Sequence, residues 1–118
     1  MIHKLTRIDF HTHTYLSGDG ELLPSELLRR AQLKGYAALA MTDHVDASNL
    51  ERVLAAQFQY LRDAANDFPV IALPGVELTD VPPARIAALA RRAKELGAAI
   101  VVVHGETIAE EVAPGTNR

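Results

Sequence analysis

The chain has no cysteine at all, so disulfides, thiolate zinc sites and thiol chemistry are excluded, and any metal must be held by histidine and carboxylate. It also has no excess of positive charge: 12 Lys and Arg stand against 15 Asp and Glu, for a net charge of −3. A polyanion-binding surface is therefore not expected, and a phosphate-bearing partner would need a local site. No apolar run approaches the ~18 residues of a membrane span. The N-terminal Met1 to Arg7 lacks the basic segment and long apolar core of a secretory signal, so the cytoplasm is the expected location, with no membrane partner. Low-complexity segments and linkers are missing too. What remains is a chain of 118 residues, 48% hydrophobic and 23% charged, enough for one domain with a core but short for a closed α/β barrel.

The most informative stretch is Ile8-Asp9-Phe10-His11-Thr12-His13-Thr14. On a strand, alternate side chains share a face, so Asp9, His11 and His13 point one way and Ile8 and Phe10 the other. Two imidazoles at such positions can converge on one cation.

The rest of the chain alternates between strand and helix signals. A strand over about Arg7 to His11 is followed by a loop at Tyr15-Leu16-Ser17-Gly18-Asp19-Gly20. Pro24 suits a first helical turn, Leu23, Leu27, Leu28 and Ala31 recur at helical spacing, and Gly35 ends the helix as a left-handed cap. Tyr36 to Met41 reads as a buried strand. Ser48 and Glu51 match a capping box opening a helix that runs to about Ala65. Val70 to Leu78 reads as a strand interrupted by a bend or bulge at Pro74-Gly75. Asp80 as cap, with Pro82 and Pro83, opens a third helix ending at Gly97, and Ala98 to Val103, with its β-branched run from Ile100, reads as a fourth strand. The βαβαβαβ order implies parallel strands joined by helical crossovers.

On that scaffold His11 and His13, His44, Glu77 and His104 all fall at carboxyl ends of strands. The intervals from His11 to His44, Glu77 and His104 are 33, 33 and 27 residues, each about one βα unit. In an α/β barrel these ends meet at one face, so residues remote in sequence converge. His3 lies outside the pattern. Asp19 sits in a Gly-Asp-Gly turn that can use an aspartate for conformation alone. Asp43 reads either as a group orienting an imidazole or as the N-cap of a turn, and Asp9 is equally ambiguous.

The motifs Asp9-Phe10-His11-Thr12-His13-Thr14 with Asp19, Met41-Thr42-Asp43-His44, Gly75-Val76-Glu77 and Val103-His104 resemble the opening motifs of the PHP (polymerase and histidinol phosphatase) superfamily. The likeness covers essentially the whole chain. His104-Gly105-Glu106-Thr107 and Pro114-Gly115-Thr116-Asn117 resemble stand-alone histidinol-phosphatase-related members. The resemblance implies a distorted (β/α)7 TIM-like barrel of which this chain is the N-terminal part, about four βα units, forming a single partial domain over residues 1–118. It implies up to three divalent ions, zinc, manganese or iron, and hydrolysis of a small phosphomonoester such as histidinol phosphate. Carried over, His11 and His13 would bind a first metal, Glu77 would bridge it to a second held by His104, and Asp19 and His44 would bind a third. Asp9 and Asp43 would stand behind the ligands. Family members draw three further ligands, a His and an Asp-x-His pair, from later strands, and no histidine follows His104 here. The alternative expectation is a non-catalytic metal-binding or assembly module that self-associates, or pairs with a C-terminal half, through an exposed sheet edge.

Overall fold

The computed structural model describes residues 5–64, 66–107 and 111–118; His3 lies outside them. Seven elements follow in the order β1 (Arg7–Thr12), α1 (Pro24–Leu33), β2 (Tyr36–Val45), α2 (Leu50–Ala64), β3 (Ile71–Leu78), α3 (Pro83–Glu95) and β4 (Ile100–Val103). The strands form one parallel sheet in sequential order β1-β2-β3-β4. This is the curled half-barrel sheet that the alternating pattern calls for. No helix among the described residues is long and apolar enough to cross a membrane.

Local chemistry explains the boundaries. Pro24 occupies the first turn of α1, the Glu26 carboxylate reaches back to the Leu23 N–H, and Gly35 takes the left-handed conformation (φ 78°) just beyond the helix. The apolar residues of the helices pack on one face of the sheet. Leu28 and Ala31 of α1 meet Leu39 and Met41 of β2, while Val53 and Leu54 of α2 and Ala93 of α3 meet Val45, Val76 and Leu78. The opposite face carries the histidines. β1 and β4 are the outer strands, and Ile8 and Phe10 on the first and Val103 on the second stay exposed.

Four expectations are corrected. β2 continues through Thr42, Asp43 and His44 to Val45, so these residues lie within the strand rather than after it. β3 is not interrupted: it pairs with β2 in unbroken register from Ala38↔Ile71 to Val45↔Leu78. Pro74 has no N–H to leave unpaired, and its carbonyl accepts from Ala99 N–H at 2.8 Å. Gly75 admits the neighbouring strands, since a Cβ there would lie 2.7 Å from the Ile100 carbonyl oxygen. The irregularity falls instead in β1, where the register shifts between Arg7 and Ile8 and again between Asp9 and Thr12. The Ser48–Glu51 capping box does not form. Ser48 donates its N–H and hydroxyl to the Asp46 carboxylate, and Glu51 pairs with Arg92 across the α2–α3 surface. Asp80 does not cap α3 either: it turns the chain at φ 57°, and Pro82 holds the N-cap position without a side-chain bond.

Candidate metal centre

The unbroken β2–β3 register sets His44 directly beside Glu77, both one residue before the end of their strands. His11, near the end of β1, and His13, just past it, reach over the same edge. His11 Nε2 lies 2.9 Å from Glu77 Oε1, His13 Nε2 3.3 Å, and His44 Nδ1 3.5 Å. Glu77 is only 4% exposed, so a buried carboxylate sits under three imidazoles. His44 Nε2 turns the other way, to Asp19 Oδ2 at 3.0 Å. The His13 and His44 rings stack at 4.5 Å, and the His104 ring lies 5.7 Å from that of His44.

Asp19 is brought in by a tightly folded loop. Tyr15 N–H bonds the Leu22 carbonyl, Ser17 N–H the Thr14 carbonyl and Gly20 N–H the Ser17 carbonyl. A Cβ on Gly20 would fall 2.0 Å from the Thr14 oxygen, so the loop closes this tightly only with glycine there.

Among the described residues, two groups place their ligand atoms within 4.8 Å of one another: His11, His13 and Glu77, and His13, Asp19 and His44. Both are able to hold a metal ion. The first unites the three residues expected around one ion. The second joins Asp19 and His44 as expected but shares His13 between the two sites. His104 belongs to neither group; it follows β4 on the same side of the sheet, and its Nδ1 bonds the Gly105 carbonyl at 2.9 Å.

The chemistry of the donor set fits a cation. Ser17 and Thr79 hydroxyls contact Nδ1 of His13 and of His44, and Nε2 of each ring faces a carboxylate oxygen. A neutral ring meets that oxygen either by donating Nε2–H or by turning its Nε2 lone pair to a cation that the carboxylate shares. Full protonation of His13 is disfavoured, since burial, and then the nearby His44, lower its pKa from the usual 6.5. The neutral imidazole so favoured is the form that binds a metal ion.

The two aspartates expected behind the ligands bond the backbone and hydroxyls that surround the imidazoles. Asp9 accepts the His11 backbone N–H at 3.0 Å and so braces the strand end. Asp43 is fully buried. Its carboxylate accepts from Thr14 N–H and hydroxyl, the Ser17 hydroxyl and the Gln57 amide. Thr14, Ser17, Gln57 and Thr79 were not singled out in the sequence. For Gln57 a signal existed: it continues the buried α2 stripe of Leu50, Val53 and Leu54 at helical spacing, so a polar group there had to find partners inside.

A cleft of about 290 Å³ beside the cluster is lined by Gly18, His44, Val45, Asp46, Ser48, Asn49 and Thr79. A groove of about 270 Å³ between β1 and α1, with Arg30 and Lys34 on its rim, lies apart from the histidines.

Comparison with known proteins agrees with this geometry. The model of the PHP domain matches residues 9–111. An uncharacterized protein of Methanocaldococcus jannaschii is 50% identical over 115 residues, which cover 94% of this chain and 51% of the relative. The chain thus spans about half the length of the curated relative it matches. No solved structure gives a significant match. With its motifs at the carboxyl ends of parallel strands and a family match over most of its length, the chain belongs to the PHP domain family.

Proposed function

We propose that this chain contributes the first metal-binding part of a phosphoesterase of PHP type, acting on a small phosphomonoester such as histidinol phosphate in the cytoplasm. The observation that carries the reading is the pair of His/carboxylate groups sharing His13 at one rim of the sheet. Divalent zinc, manganese or iron bound there would polarise phosphoryl oxygens and lower the pKa of water. The protein's own part is to hold neutral imidazoles in place, to keep Glu77 dry beneath them, and to leave the cleft beside His44 open for the phosphate. His104, on the same side, is proposed to join the site when it is loaded. Since the chain spans about half of its relative, turnover is proposed for the complete domain.

A second reading, a metal-binding module that assembles with another copy or with a C-terminal half, draws support from the exposed Ile8, Phe10 and Val103 on the outer strands.

Metal analysis of the chain loaded with zinc or manganese, with phosphatase assay on histidinol phosphate, separates the two. Because His13 serves both groups, His13→Ala should abolish loading, whereas His11→Ala and Asp19→Ala should each reduce it in part. Equal and negligible effects of all three would refute the metal centre. Loading without turnover, in a chain that elutes as a dimer, would favour the assembly module.

A further inference from the structure

We propose that Ser17 and Thr79 are positioning residues that lock His13 and His44 in the Nδ1–H tautomer, Ser17 because the buried Asp43 takes its only proton. The consequence for metal binding rests on the function proposed above; the tautomers themselves do not.

Around Asp43 and Ser17 the donor and acceptor roles close. Asp43, as a carboxylate, only accepts, and every group facing it can donate. Thr14 N–H does so at 2.6 Å. The Thr14 hydroxyl accepts the Leu16 N–H, so its own proton goes to Asp43. The Gln57 amide is oriented by Gly75 N–H, which donates to its Oε1 at 3.0 Å, and this turns Nε2 toward Asp43. Ser17 Oγ stands 2.8 Å from Asp43 Oδ1 and accepts the His44 backbone N–H at 2.9 Å, so its proton also goes to Asp43. The hydroxyl's remaining role toward His13 Nδ1, at 3.2 Å, is that of acceptor. His13 must therefore carry its proton on Nδ1 and present the Nε2 lone pair to Glu77.

Thr79 repeats the device with a different anchor. Its hydroxyl lies 3.1 Å from the Glu77 carbonyl and also contacts His44 Nδ1; with its proton on that carbonyl it accepts from His44 Nδ1–H, and the His44 Nε2 lone pair turns toward Asp19 and the cation proposed there. For His104 a backbone carbonyl does the same, and no side-chain substitution removes it, so His104 is an internal reference. Fixing the tautomer of a ligand histidine through the other ring nitrogen raises metal affinity by tenfold to a hundredfold in general.

The test is two-bond 1H–15N correlation NMR of the 15N-labelled full chain after EDTA dialysis, with imidazoles assigned by single His→Gln variants. His13, His44 and His104 should all show the Nδ1–H form. Ser17→Ala should move His13 toward the Nε2–H form that free imidazoles favour and leave His104 unchanged. Thr79→Val should do so for His44, and Thr79→Ser should restore it. Zn²⁺ titration should then show affinity reduced about tenfold to a hundredfold in Ser17→Ala. A wild-type Nε2–H form, or tautomers unchanged in Ser17→Ala and Thr79→Val, would overturn the proposal. If Ser17→Ala does not fold, the Thr79 pair decides. Locked tautomers in a chain that binds no Zn²⁺ would uphold the positioning role and refute the metal centre alone.

Discussion

Gln57→Leu isolates the cost of the buried polar network, because leucine nearly preserves the side-chain volume in α2. Gln57 is fully buried, and its amide makes two contacts with Gly75 at 3.0 Å each and one with Asp43 at 3.0 Å. The substitution removes the acceptor of the Gly75 N–H, a buried neutral group worth about 1–3 kcal/mol when orphaned, and a donor to a buried carboxylate, worth about 1.5–3 kcal/mol. Extra apolar burial by leucine offsets about 1–2 kcal/mol. The net expectation is a loss of about 2–3 kcal/mol, a large part of the ~5–15 kcal/mol that stabilises a domain. With a urea m-value of about 1–3 kcal/mol/M, the unfolding midpoint should fall by about 1–2 M. Gln57→Glu should lose at least as much, because it sets a second carboxylate against Asp43. A Gln57→Leu midpoint within about 0.3 M of wild type would show that the network does not hold the sheet to α2.

Two further outcomes follow from the same geometry. Gly75→Ala puts a Cβ 2.7 Å from the Ile100 oxygen and 3.0 Å from the Met41 oxygen, both backbone atoms that cannot step aside, so overpacking should cost about 1–3 kcal/mol and lower the Tm by at least about 5 °C; an unchanged melting curve would refute the close approach. For His13 the folded pKa lies below the unfolded 6.5, so the unfolded chain binds the proton first; the metal-free protein should be most stable above 6.5 and lose stability as pH falls from there toward the folded value, and urea melts of His13→Gln should show a shallower pH slope than wild type.

Much of the site was legible before the fold was known. His44 and Glu77 are 33 residues apart, one βα unit, and that spacing alone predicts that neighbouring strands carry them to the same height, as their pairing shows. Asp19 could be placed beside His44 only through the family likeness, because a Gly-Asp-Gly turn has no periodicity to aim it. The hydroxyl residues were invisible for a different reason. Ser17 and Thr79 matter through which proton goes where, and that depends on partners 26 and 35 residues away in sequence. The bend expected at Pro74-Gly75 was wrong because local propensity was read without the neighbours: a parallel strand on each side and Gln57 beneath supply what proline and glycine lack.

The sequential strand order also sets a timetable. Each strand pairs with the next βα unit along the chain, so the sheet can grow from either end by short loop closures. His11 and Glu77, however, are 66 residues apart and lie on strands that do not pair, with β2 between them. Their meeting requires β1, β2 and β3 to be in place together. A cation captured by this group would therefore report on the assembled sheet, not on any earlier stage of folding, and by binding only that state it would draw the folding equilibrium toward it.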